Sequence, residues 1–349
     1  MSKYFNASLD SLAPYTPGEQ PKVKNLIKLN TNESPFPPAP GVAEAVKNAA
    51  ASLQLYSDLA ASELVGLLAD TYGLSPDQIA VSNGSDEMLA FAFQAFGGSG
   101  LRFPDITYGF YPVWARLYGL NTEIVPLNDD FTVNVSDYCR NDRCVVLANP
   151  NAPTGVALPL DAIRTIAKKN PDQVVIVDEA YVDFGAESAV SLLSDFDNIL
   201  VIRTFSKSRQ LAGARLGFAM GHPALIQDLN RVRYSFHPYN VNSLTQAAGA
   251  AALRDPGYFE DCRRAIMETR EWTKAQLTAL GFRVLPSSAN FLFAAAPDMS
   301  GAAYQKALRE KNILIRYFDL PRTKDFTRIT IGTRAQMERL IEATKEILP

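Results

Sequence analysis

The sequence is poor in histidine and cysteine. Its 349 residues contain two histidines and three cysteines, namely His222, His237, Cys139, Cys144 and Cys262. So few of these residues exclude a Cys/His zinc framework and a disulfide scaffold, and we expect no metal site. Both histidines stand beside a proline in loop-like contexts, so a turn or surface role is expected for each. Acid–base chemistry must then rest on lysine, tyrosine or carboxylates.

An excess of charge of one sign and long apolar runs are also missing. Lys and Arg total 34 against 37 Asp and Glu, a formal net charge of −3, so no basic surface for nucleic acid or an anionic membrane is expected. No apolar run approaches the roughly 18 residues of a transmembrane helix, and the N-terminus lacks the pattern of a signal peptide. With three cysteines that look unpaired, these features predict a cytoplasmic protein.

Two familiar phosphate-binding signatures are absent. The sequence has no G-x-G-x-x-G after its first predicted strands and no G-x-x-x-x-G-K-[ST] at any position. A dinucleotide or a nucleoside triphosphate bound in the usual way is therefore not expected. Chemistry should instead be sought at the carboxyl ends of strands, where open α/β sheets bind their ligands.

The pattern along the chain changes near residues 40 and 255. Residues 1–40 are rich in proline and predict an extended or irregular arm. Residues 41–255 alternate strand-like and helical segments, which predicts an α/β domain with a mainly parallel sheet. Residues 256–349 begin at a good helix start, Asp255-Pro256, and predict a helix to about residue 280 and then a smaller α+β domain.

The predicted strands span three to five residues each, and helical segments lie between several of them. The predicted strands are 79–81, 122–126, 144–147, 174–177, 199–202, 216–220, 283–285, 291–294 and 327–331. The predicted helices are 42–53, 62–72, 87–96, 160–169, 256–280 and 302–311.

Two turn-rich segments follow predicted strands and could hold a ligand. Residues 82–86, Ser-Asn-Gly-Ser-Asp, precede a helix whose first amides could face an anion, and Gly84 permits close backbone approach. Taken alone, this segment is better explained as a plain helix cap by Ser85 or Asp86. Residues 149–155, Asn-Pro-Asn-Ala-Pro-Thr-Gly, predict a fixed turn whose asparagines could present an amide to a ligand. A purely structural turn explains that segment equally well.

Two charged residues follow strongly apolar strands. Asp178 ends the run 174–177, where a carboxylate needs a partner such as a protonated ring nitrogen, or else nearby backbone amides. Lys207 follows the run 199–202 and could form a Schiff base with a carbonyl compound, while Arg215 could pair with a phosphate. Viewed in isolation, the lysine is better explained as part of a solvated basic loop.

The order and spacing of these segments resemble those of the fold-type I pyridoxal-phosphate aminotransferases. The Asn-Pro-Asn-x-Pro-Thr-Gly turn is followed by Asp-Glu-Ala-Tyr from Asp178, by Lys207 29 residues after Asp178, and by Arg215 eight residues later. The resemblance covers essentially the whole chain. It implies an α/β fold of that type, with a mostly parallel central sheet flanked by helices and a smaller α+β domain, and a transaminase that uses pyridoxal 5'-phosphate.

Within that superfamily, the chain is most similar to the histidinol-phosphate aminotransferases. The similarity rests on short motifs spread along the chain. They are Pro-Tyr-Thr-Pro-Gly at 14–18, Lys-Leu-Asn-Thr-Asn-Glu-Ser-Pro at 28–35, Asn-Gly-Ser-Asp-Glu at 83–87, Thr-Tyr-Gly-Phe-Tyr at 107–111, Tyr-Asn-Val-Asn at 239–242, Ile-Leu-Ile-Arg at 313–316 and Arg-Ile-Thr-Ile-Gly-Thr at 328–333.

The resemblance implies a cofactor role for each matching residue. Lys207 would hold the cofactor covalently and move protons, and Asp178 would pair with its ring nitrogen. Asn151 and Tyr181 would bond its phenolic oxygen, and Tyr108 would stack on its ring. The cofactor phosphate would be held by the amides of Gly84, Ser85 and Asp86, by the side chains of Thr204, Ser206 and Arg215, and by Tyr56 of a neighbouring subunit. A homodimer is therefore implied.

The resemblance also implies a substrate site that must accept two different molecules. Arg328 would clamp an α-carboxylate by a planar two-point contact, and Arg316 and Tyr15 would bind a phosphate. Asn30 and Asn151 would contribute to the same site, with the proline-rich arm folded over it. Histidinol phosphate has no carboxylate, whereas the amino partner glutamate has two. Arg328 would therefore serve glutamate, and Arg316 either the phosphate or glutamate's side chain.

The implied reaction interconverts histidinol phosphate and 2-oxoglutarate with imidazole-acetol phosphate and glutamate, a step of histidine biosynthesis. An aromatic amino acid aminotransferase is an alternative, because such sequences share nearly every motif. A decarboxylase of a phosphorylated amino acid would also retain the lysine and the aspartate. The chain departs from the pattern at Ser57, where proline is usual, and at residues 36–38, where Phe-Pro-Pro replaces the usual Gly-Pro. It also departs at Arg209, which could form salt bridges near the cofactor or face solvent.

Overall fold

The computed structural model describes residues 2–10, 12–16, 18–21 and 25–348, the side chain of residue 8 excepted. Residues 1, 11, 17 and 22–24 of the predicted arm, and residue 349, lie outside the described part. The α-helices of the described residues are α1 (Gly41–Ala50), α2 (Ser62–Tyr72), α3 (Ser85–Phe96), α4 (Tyr111–Leu117), α5 (Leu160–Lys169), α6 (Pro223–Phe236), α7 (Ser243–Leu253), α8 (Pro256–Ala279), α9 (Gly301–Glu310) and α10 (Arg334–Ile347). The strands are β1 (Ile27–Leu29), β2 (Ile79–Ser82), β3 (Leu101–Pro104), β4 (Thr122–Val125), β5 (Cys144–Ala148), β6 (Val175–Asp178), β7 (Ile199–Thr204), β8 (Gly217–Gly221), β9 (Arg283–Val284), β10 (Phe291–Ala295), β11 (Ile313–Tyr317) and β12 (Phe326–Thr330).

The larger sheet has seven strands in the order β2-β8-β7-β6-β5-β3-β4. Strand β8 runs antiparallel to both of its neighbours, and the other pairs are parallel. The central strands β5, β6 and β7 are covered on both faces, as a continuous apolar run requires. The predicted mainly parallel α/β sheet is therefore present.

Alternate residues of each central strand enter two different cores. In β6, Val175 and Val177 pack into the cluster on one face, and Ile176 packs into the cluster on the other. Each such aliphatic side chain, completely buried, contributes about 1.5–3 kcal/mol to the stability of the fold. The paired cores hold the carboxyl ends of β5, β6 and β7 in fixed register, with Ala148 beside Asp178.

The smaller sheet has the order β1-β11-β12-β10-β9 and combines both ends of the chain. Strand β1 pairs in parallel with β11, which the sequence analysis recognised as an apolar motif but not as a strand. The long helix α8 joins the two sheets. It starts as predicted: Asp255 accepts a hydrogen bond from the amide of Tyr258 at 3.0 Å, and Pro256 occupies the first turn. The division into an arm, a large domain and a small domain stays a prediction.

Candidate active site

A cavity lies between the carboxyl ends of the central strands and the smaller sheet. Most of the predicted site residues line it. They are Tyr15, Asn30, Ser85, Asp86, Tyr108, Asp178, Tyr181, Thr204, Ser206, Lys207, Arg215, Arg316 and Arg328. Residues distant in sequence meet here because parallel strands place their carboxyl ends at one edge of the sheet. Gly84, Asn151 and Tyr56 are the predicted site residues that do not line the cavity.

One end of the cavity is built to receive an anion. Helix α3 begins there, and the first amides of a helix have no acceptor within it. Gly84 precedes the helix with a φ of 85°, and an added Cβ would lie 2.6 Å from Nη2 of Arg215. At Gly217, a Cβ would lie 2.3 Å from the amide nitrogen of Ser85. Both positions therefore require glycine.

Side chains of the β7–β8 connection complete this anion-binding end. Arg215 donates from Nη2 to Oδ2 of Asp86 at 2.9 Å and from Nη1 to Oγ of Ser206 at 3.3 Å. The hydroxyl of Thr204 donates to the same Oγ at 3.0 Å. Asp86 also accepts from the hydroxyl of Tyr108 at 2.8 Å. The guanidinium is thus held over the start of α3, so the cationic group and the helix amides face one volume.

Lys207 extends into the middle of the cavity from the loop after β7. Its amine Nζ donates to the carbonyl oxygen of Thr31 at 3.3 Å and lies 5.7 Å from the ring centroid of Tyr181. The loop is fastened on one side of the lysine, where Ser208 donates to Oδ2 of Asp183 at 2.5 Å. An amine fixed on a short, anchored loop can attack a carbonyl carbon placed in the cavity.

Arg209 neither forms a salt bridge with a described carboxylate nor faces solvent, the two alternatives considered from the sequence. It is buried, with 8% of its surface exposed, and stacks on Phe259 of α8 with its guanidinium carbon 4.1 Å from the ring centroid. Its Nη1 donates to the carbonyl oxygen of Ala252 at 3.2 Å. This side chain ties the lysine loop to helices α7 and α8, two residues from the reactive amine.

Asp178 presents a buried carboxylate at the end of β6. Only 5% of the residue is exposed, and burial raises the pKa of its carboxyl group to about 6. Hydrogen bonds from Tyr111 and from the amide of Ala180, and the charge of Lys207, act in the opposite direction. A carboxylate left with so little solvation favours a cationic partner in the cavity.

Tyr181 is held by the segment that follows β1. Its hydroxyl accepts a hydrogen bond from Nδ2 of Asn32 at 2.9 Å, so the proton of that hydroxyl remains available to another acceptor. Asn32 in turn accepts from the hydroxyl of Thr330 at 2.9 Å, and its carbonyl oxygen accepts from Nδ2 of Asn290 at 3.0 Å. Residues at the strand ends of the smaller sheet therefore position the phenol of Tyr181, which follows β6 of the larger sheet.

The structure does not bring the side chain of Asn151 to the cavity. Its Nδ2 donates to the carbonyl oxygen of Ile106 and to the hydroxyl of Thr154, each at 3.0 Å, which fixes the turn from behind. The neighbouring Ala152 lines the cavity instead. The Oδ1 of Asn151 is buried and accepts no hydrogen bond from the described residues, and its role toward a cofactor stays a prediction.

Two arginines form the opposite wall of the cavity. Arg316 of β11 and Arg328 of β12 are direct cross-strand partners, so their side chains leave the same face of the sheet. Burial lowers the pKa of Arg328, which donates from Nη2 to the carbonyl oxygen of Asn30 at 2.9 Å. Arg328 forms no ion pair with any carboxylate among the described residues. This wall is suited to an anionic ligand.

Aromatic residues close the side of the cavity next to the arm. Tyr15 stacks on Phe110 with ring centroids 4.2 Å apart and lies beside Tyr108, at 6.5 Å. Asn30 lines the same side and donates to the carbonyl oxygen of Glu19 at 2.8 Å. Tyr15 and Gly18 of the arm therefore line the cavity.

Tyr56 lies on the surface, away from the cavity of its own chain. It is 82% exposed and stacks on Tyr239 with ring centroids 4.5 Å apart. Leu53 and Leu55 beside it are 54% and 65% exposed. Neither histidine reaches the cavity: His222 caps α6 by accepting from the amide of Ala224 at 3.3 Å, and His237 ends that helix.

Comparison with known proteins then decides the family. The family described as "Aminotransferase class I and II" matches residues 24–343 of the chain. The chain belongs to this family. The prediction of an aminotransferase is therefore confirmed.

Relatives of this aminotransferase extend over its full length. The chain is 51% identical to "Histidinol-phosphate aminotransferase 2" of Dechloromonas aromatica, over 99% of both chains. It is 50% identical to "Histidinol-phosphate aminotransferase 1" of Methylococcus capsulatus, over 100% of this chain and 98% of that one. The predicted resemblance to histidinol-phosphate aminotransferases is confirmed.

The fold of this aminotransferase is similar to that of solved structures. Histidinol-phosphate aminotransferase from Sinorhizobium meliloti, in complex with pyridoxal 5'-phosphate, superposes with a TM-score of 0.89. That structure covers 99% of this chain at 27% identity, and 98% of its own chain is matched. The predicted fold class is confirmed. Within the described residues, no α-helix qualifies as a membrane span.

Two residues that hold the site in place had no role in the sequence analysis. Tyr111 donates to Asp178, and Asn32 donates to Tyr181. Both stand in motifs that carried the resemblance, at 107–111 and 28–35. Their presence in those motifs was the available signal, but the sequence cannot show which buried partner each side chain meets.

Proposed function

We propose that this aminotransferase uses pyridoxal 5'-phosphate to interconvert histidinol phosphate and 2-oxoglutarate with imidazole-acetol phosphate and glutamate, in the biosynthesis of histidine. The observation that carries the proposal is the pair of arginines, Arg316 and Arg328, opposite the lysine and the buried aspartate. One cationic wall can accept a phosphate from one substrate and carboxylates from the other. The names of the full-length relatives support the same choice.

The residues present fit the proposed cofactor. Its phosphate fits the start of α3, where Gly84 leaves room for Arg215 and Gly217 allows the backbone of Ser85 to approach closely. Its ring nitrogen fits Asp178, whose buried carboxylate favours a cationic partner. Its phenolic oxygen fits the hydroxyl of Tyr181, which can donate while it accepts from Asn32. Asn151 belongs to the turn behind the wall, and we assign it a supporting role only.

When bound, the cofactor supplies an electron sink that stabilises a negative charge at the substrate carbon next to the nitrogen. Lys207 would hold the cofactor through its amine. When that amine is free, its Nζ would be the base that takes and returns the proton of that substrate carbon. Tyr108 covers the ring, and its hydroxyl bond to Asp86 fixes its position. Donor and acceptor substrates alternate at one site, which predicts two-stage kinetics.

The two arginines of the wall bind different groups of the two substrates. Arg328 binds the α-carboxylate of glutamate, with Asn30 holding the guanidinium from behind. Arg316 binds the phosphate of histidinol phosphate or the side-chain carboxylate of glutamate. Tyr15 covers the same position from the arm. A single guanidinium can serve both groups because each offers oxygen atoms at similar spacing.

We propose a homodimer in which Tyr56 reaches the cofactor phosphate of the partner's site. Its exposure, together with the exposed leucines Leu53 and Leu55, supports an interface at this surface. We also propose a cytoplasmic location. The three cysteines of the chain are free, which suits a reducing compartment.

Replacing Arg316 with alanine tests the substrate assignment. We expect the KM for histidinol phosphate to rise about 10- to 100-fold, because a charge-assisted contact to the phosphate is lost. Turnover of phenylalanine, which has no phosphate, should change less than about threefold. Initial rates with histidinol phosphate, phenylalanine and threonine phosphate as donors measure both effects.

The Arg339→Ala variant is the matched control. Arg339 is an arginine of α10 that pairs with Glu342 and Glu346 on the surface, and its loss should leave all three donors unaffected. Equal weakening of histidinol phosphate and phenylalanine in the Arg316 variant would refute the phosphate role. Phenylalanine as the preferred donor of the unmodified enzyme would favour an aromatic aminotransferase, and release of CO2 from a phosphorylated amino acid would favour a decarboxylase.

Mixing two inactive variants tests the shared site. Tyr56→Ala and Lys207→Ala each damage a different part of the proposed site. If Tyr56 acts across the interface, a hybrid dimer has one site with both changes and one with neither. After subunit exchange at equal concentrations, about a quarter of the wild-type activity should return. No recovery, when native mass spectrometry shows that hybrids have formed, would place Tyr56 in its own subunit's site.

A further inference from the structure

Tyr111 is a completely buried phenol in contact with Asp178. Its hydroxyl donates to Oδ2 of Asp178 at 2.8 Å, and no part of the residue reaches solvent. The ring packs between Phe93 and Phe103, with centroids 5.9 and 5.8 Å away. Burial, with the nearby carboxylate, holds the pKa of the phenol well above its usual range, so the hydroxyl stays a donor. In this hydrogen bond Tyr111 is therefore always the donor and Asp178 the acceptor.

This hydrogen bond is one of two that the carboxylate of Asp178 accepts from the described part of the chain. The other comes from the amide of Ala180 to Oδ1 at 3.2 Å. The charged groups that act on the carboxylate are Lys207, which favours its ionised form, and Asp86, which opposes it. One donor on each oxygen fixes the plane of the carboxylate, and each oxygen keeps a lone pair for a ligand.

We propose that Tyr111 is a positioning residue that keeps the Asp178 carboxylate ionised and aligned, so that the proton it shares with the cofactor ring stays on the ring nitrogen. This inference rests on the proposed function only in its choice of cofactor. One proton lies between a carboxylate oxygen and a ring nitrogen, and a donor to the carboxylate stabilises the state in which that proton is on nitrogen. A protonated ring is the stronger electron sink.

Tyr111 contacts both Asp178 and Tyr108, the residue expected to cover the cofactor ring. Tyr111 opens helix α4 and meets the ring of Tyr108 edge-on, with centroids 5.7 Å apart. Tyr108 is the residue expected to cover the cofactor. The short segment 108–111 therefore supplies the aromatic ring that would stack on the cofactor and also the hydroxyl that holds the carboxylate of Asp178. A role in fold stability alone would not require the hydroxyl, since the ring by itself fills the apolar space between Phe93 and Phe103.

The Tyr111→Phe variant removes the hydroxyl and keeps the ring. We expect kcat to fall about tenfold or more, with the KM of the amino donor nearly unchanged, because the lost bond joins a charged group that the substrate does not touch. In the cofactor-free protein the pKa of Asp178 should rise, which infrared or carbon NMR of labelled aspartate can follow. The visible band of the bound cofactor should also change its pH dependence.

Two further variants distinguish a positioning role of Tyr111 from a general effect on folding. Tyr304→Phe removes another buried hydroxyl, 2.7 Å from Thr344 and remote from the cavity, and should leave kcat and both titrations unchanged. In an Asp178→Asn background, Tyr111→Phe should have little further effect, because it acts through that carboxylate. An unchanged Asp178 titration in Tyr111→Phe, or an equal loss of kcat in the Asp178→Asn background, would overturn the proposal.

The failure of this inference is distinguishable from failure of the proposed function. If the wild-type protein gains no visible band with pyridoxal 5'-phosphate, the choice of cofactor fails. The titration of Asp178 without cofactor still reports whether Tyr111 controls the carboxylate. If the band appears but histidinol phosphate is not a donor, only the substrate assignment fails, and the comparison of variants can be made with any accepted donor.

Discussion

Replacing Lys207 with alanine is expected to lower kcat by about 10⁴-fold or more, because one amine both holds the cofactor and moves the proton. The visible absorbance of the bound cofactor should shift to that of the free aldehyde, since no covalent bond to the chain remains. The cofactor phosphate would still be bound at the start of α3, so the variant should retain cofactor on gel filtration. Absorbance spectra and single-turnover rates measure these results.

The Lys168→Ala variant provides the control for this prediction. Lys168 is an exposed lysine at the end of α5, and its replacement should leave the spectrum and the rate unchanged. A Lys207→Ala protein that keeps the wild-type spectrum, or more than about a tenth of the wild-type rate, would mean that another amine does the chemistry. Primary amines added to the assay should restore part of the rate if the lost function is proton transfer.

Replacing Asp178 with asparagine is expected to lower kcat roughly 10³-fold and at the same time to stabilise the cofactor-free protein. The loss of rate follows from removing a buried charge next to the ring nitrogen, where coupling between close charges amounts to several kcal/mol. Asparagine keeps the shape of the side chain but has a single acceptor oxygen, so it retains the hydrogen bond of Tyr111 or that of Ala180 and meets the other donor with its NH2 group.

The gain in stability depends on pH in a defined sense. Burial raises the pKa of Asp178 from 3.8 to about 6, so the folded state binds a proton more tightly than the unfolded chain. The wild-type protein therefore loses stability as the pH rises from about 4 to about 6, and the full cost, about 3 kcal/mol, is present above that window. Asparagine does not titrate, so the variant avoids this cost.

Urea unfolding of both cofactor-free proteins at pH 4 and pH 8 tests this prediction. The free energies of unfolding should be similar at pH 4 and should differ by up to about 3 kcal/mol at pH 8, in favour of the variant. Asp195→Asn is the control, because Asp195 is an exposed surface residue paired with Arg164, and its change should stay within about 0.5 kcal/mol. A stability difference between variant and wild type that does not move in favour of the variant from pH 4 to pH 8 would contradict the assigned burial cost.

Much of the fold could be predicted because its patterns are local. Helix α2 was predicted at 62–72 and is observed as Ser62–Tyr72, since its apolar positions follow the helical period. The strand β11 was noted only as part of a family motif, although its five residues are as many as in the longest predicted strands. Its partner β1 lies in the proline-rich arm, which the sequence predicted to be extended or irregular, and the two strands pair across nearly the whole chain.

The candidate site was predicted less evenly. The charged residues at strand ends, Asp178 and Lys207, were assigned together through the order and spacing of the motifs, because the lysine in isolation is better explained as part of a solvated loop. Asn151 and Ala152 could not be told apart, because their order in the turn does not show which side chain faces the cavity. The supporting contacts of Tyr111 and Asn32 lie 67 and 149 residues from their partners and leave no local pattern.

The sequence by itself determined the alternation of buried strands and helices, the scarcity of histidine, and the family to which the chain is similar. These follow from composition and from motifs whose order is preserved along the chain. Only the tertiary structure decided that both chain ends build one sheet, that Arg316 and Arg328 stand side by side, and that a phenol supports Asp178. Such contacts depend on strand register and on the packing of distant segments, which the free energy of the whole fold sets.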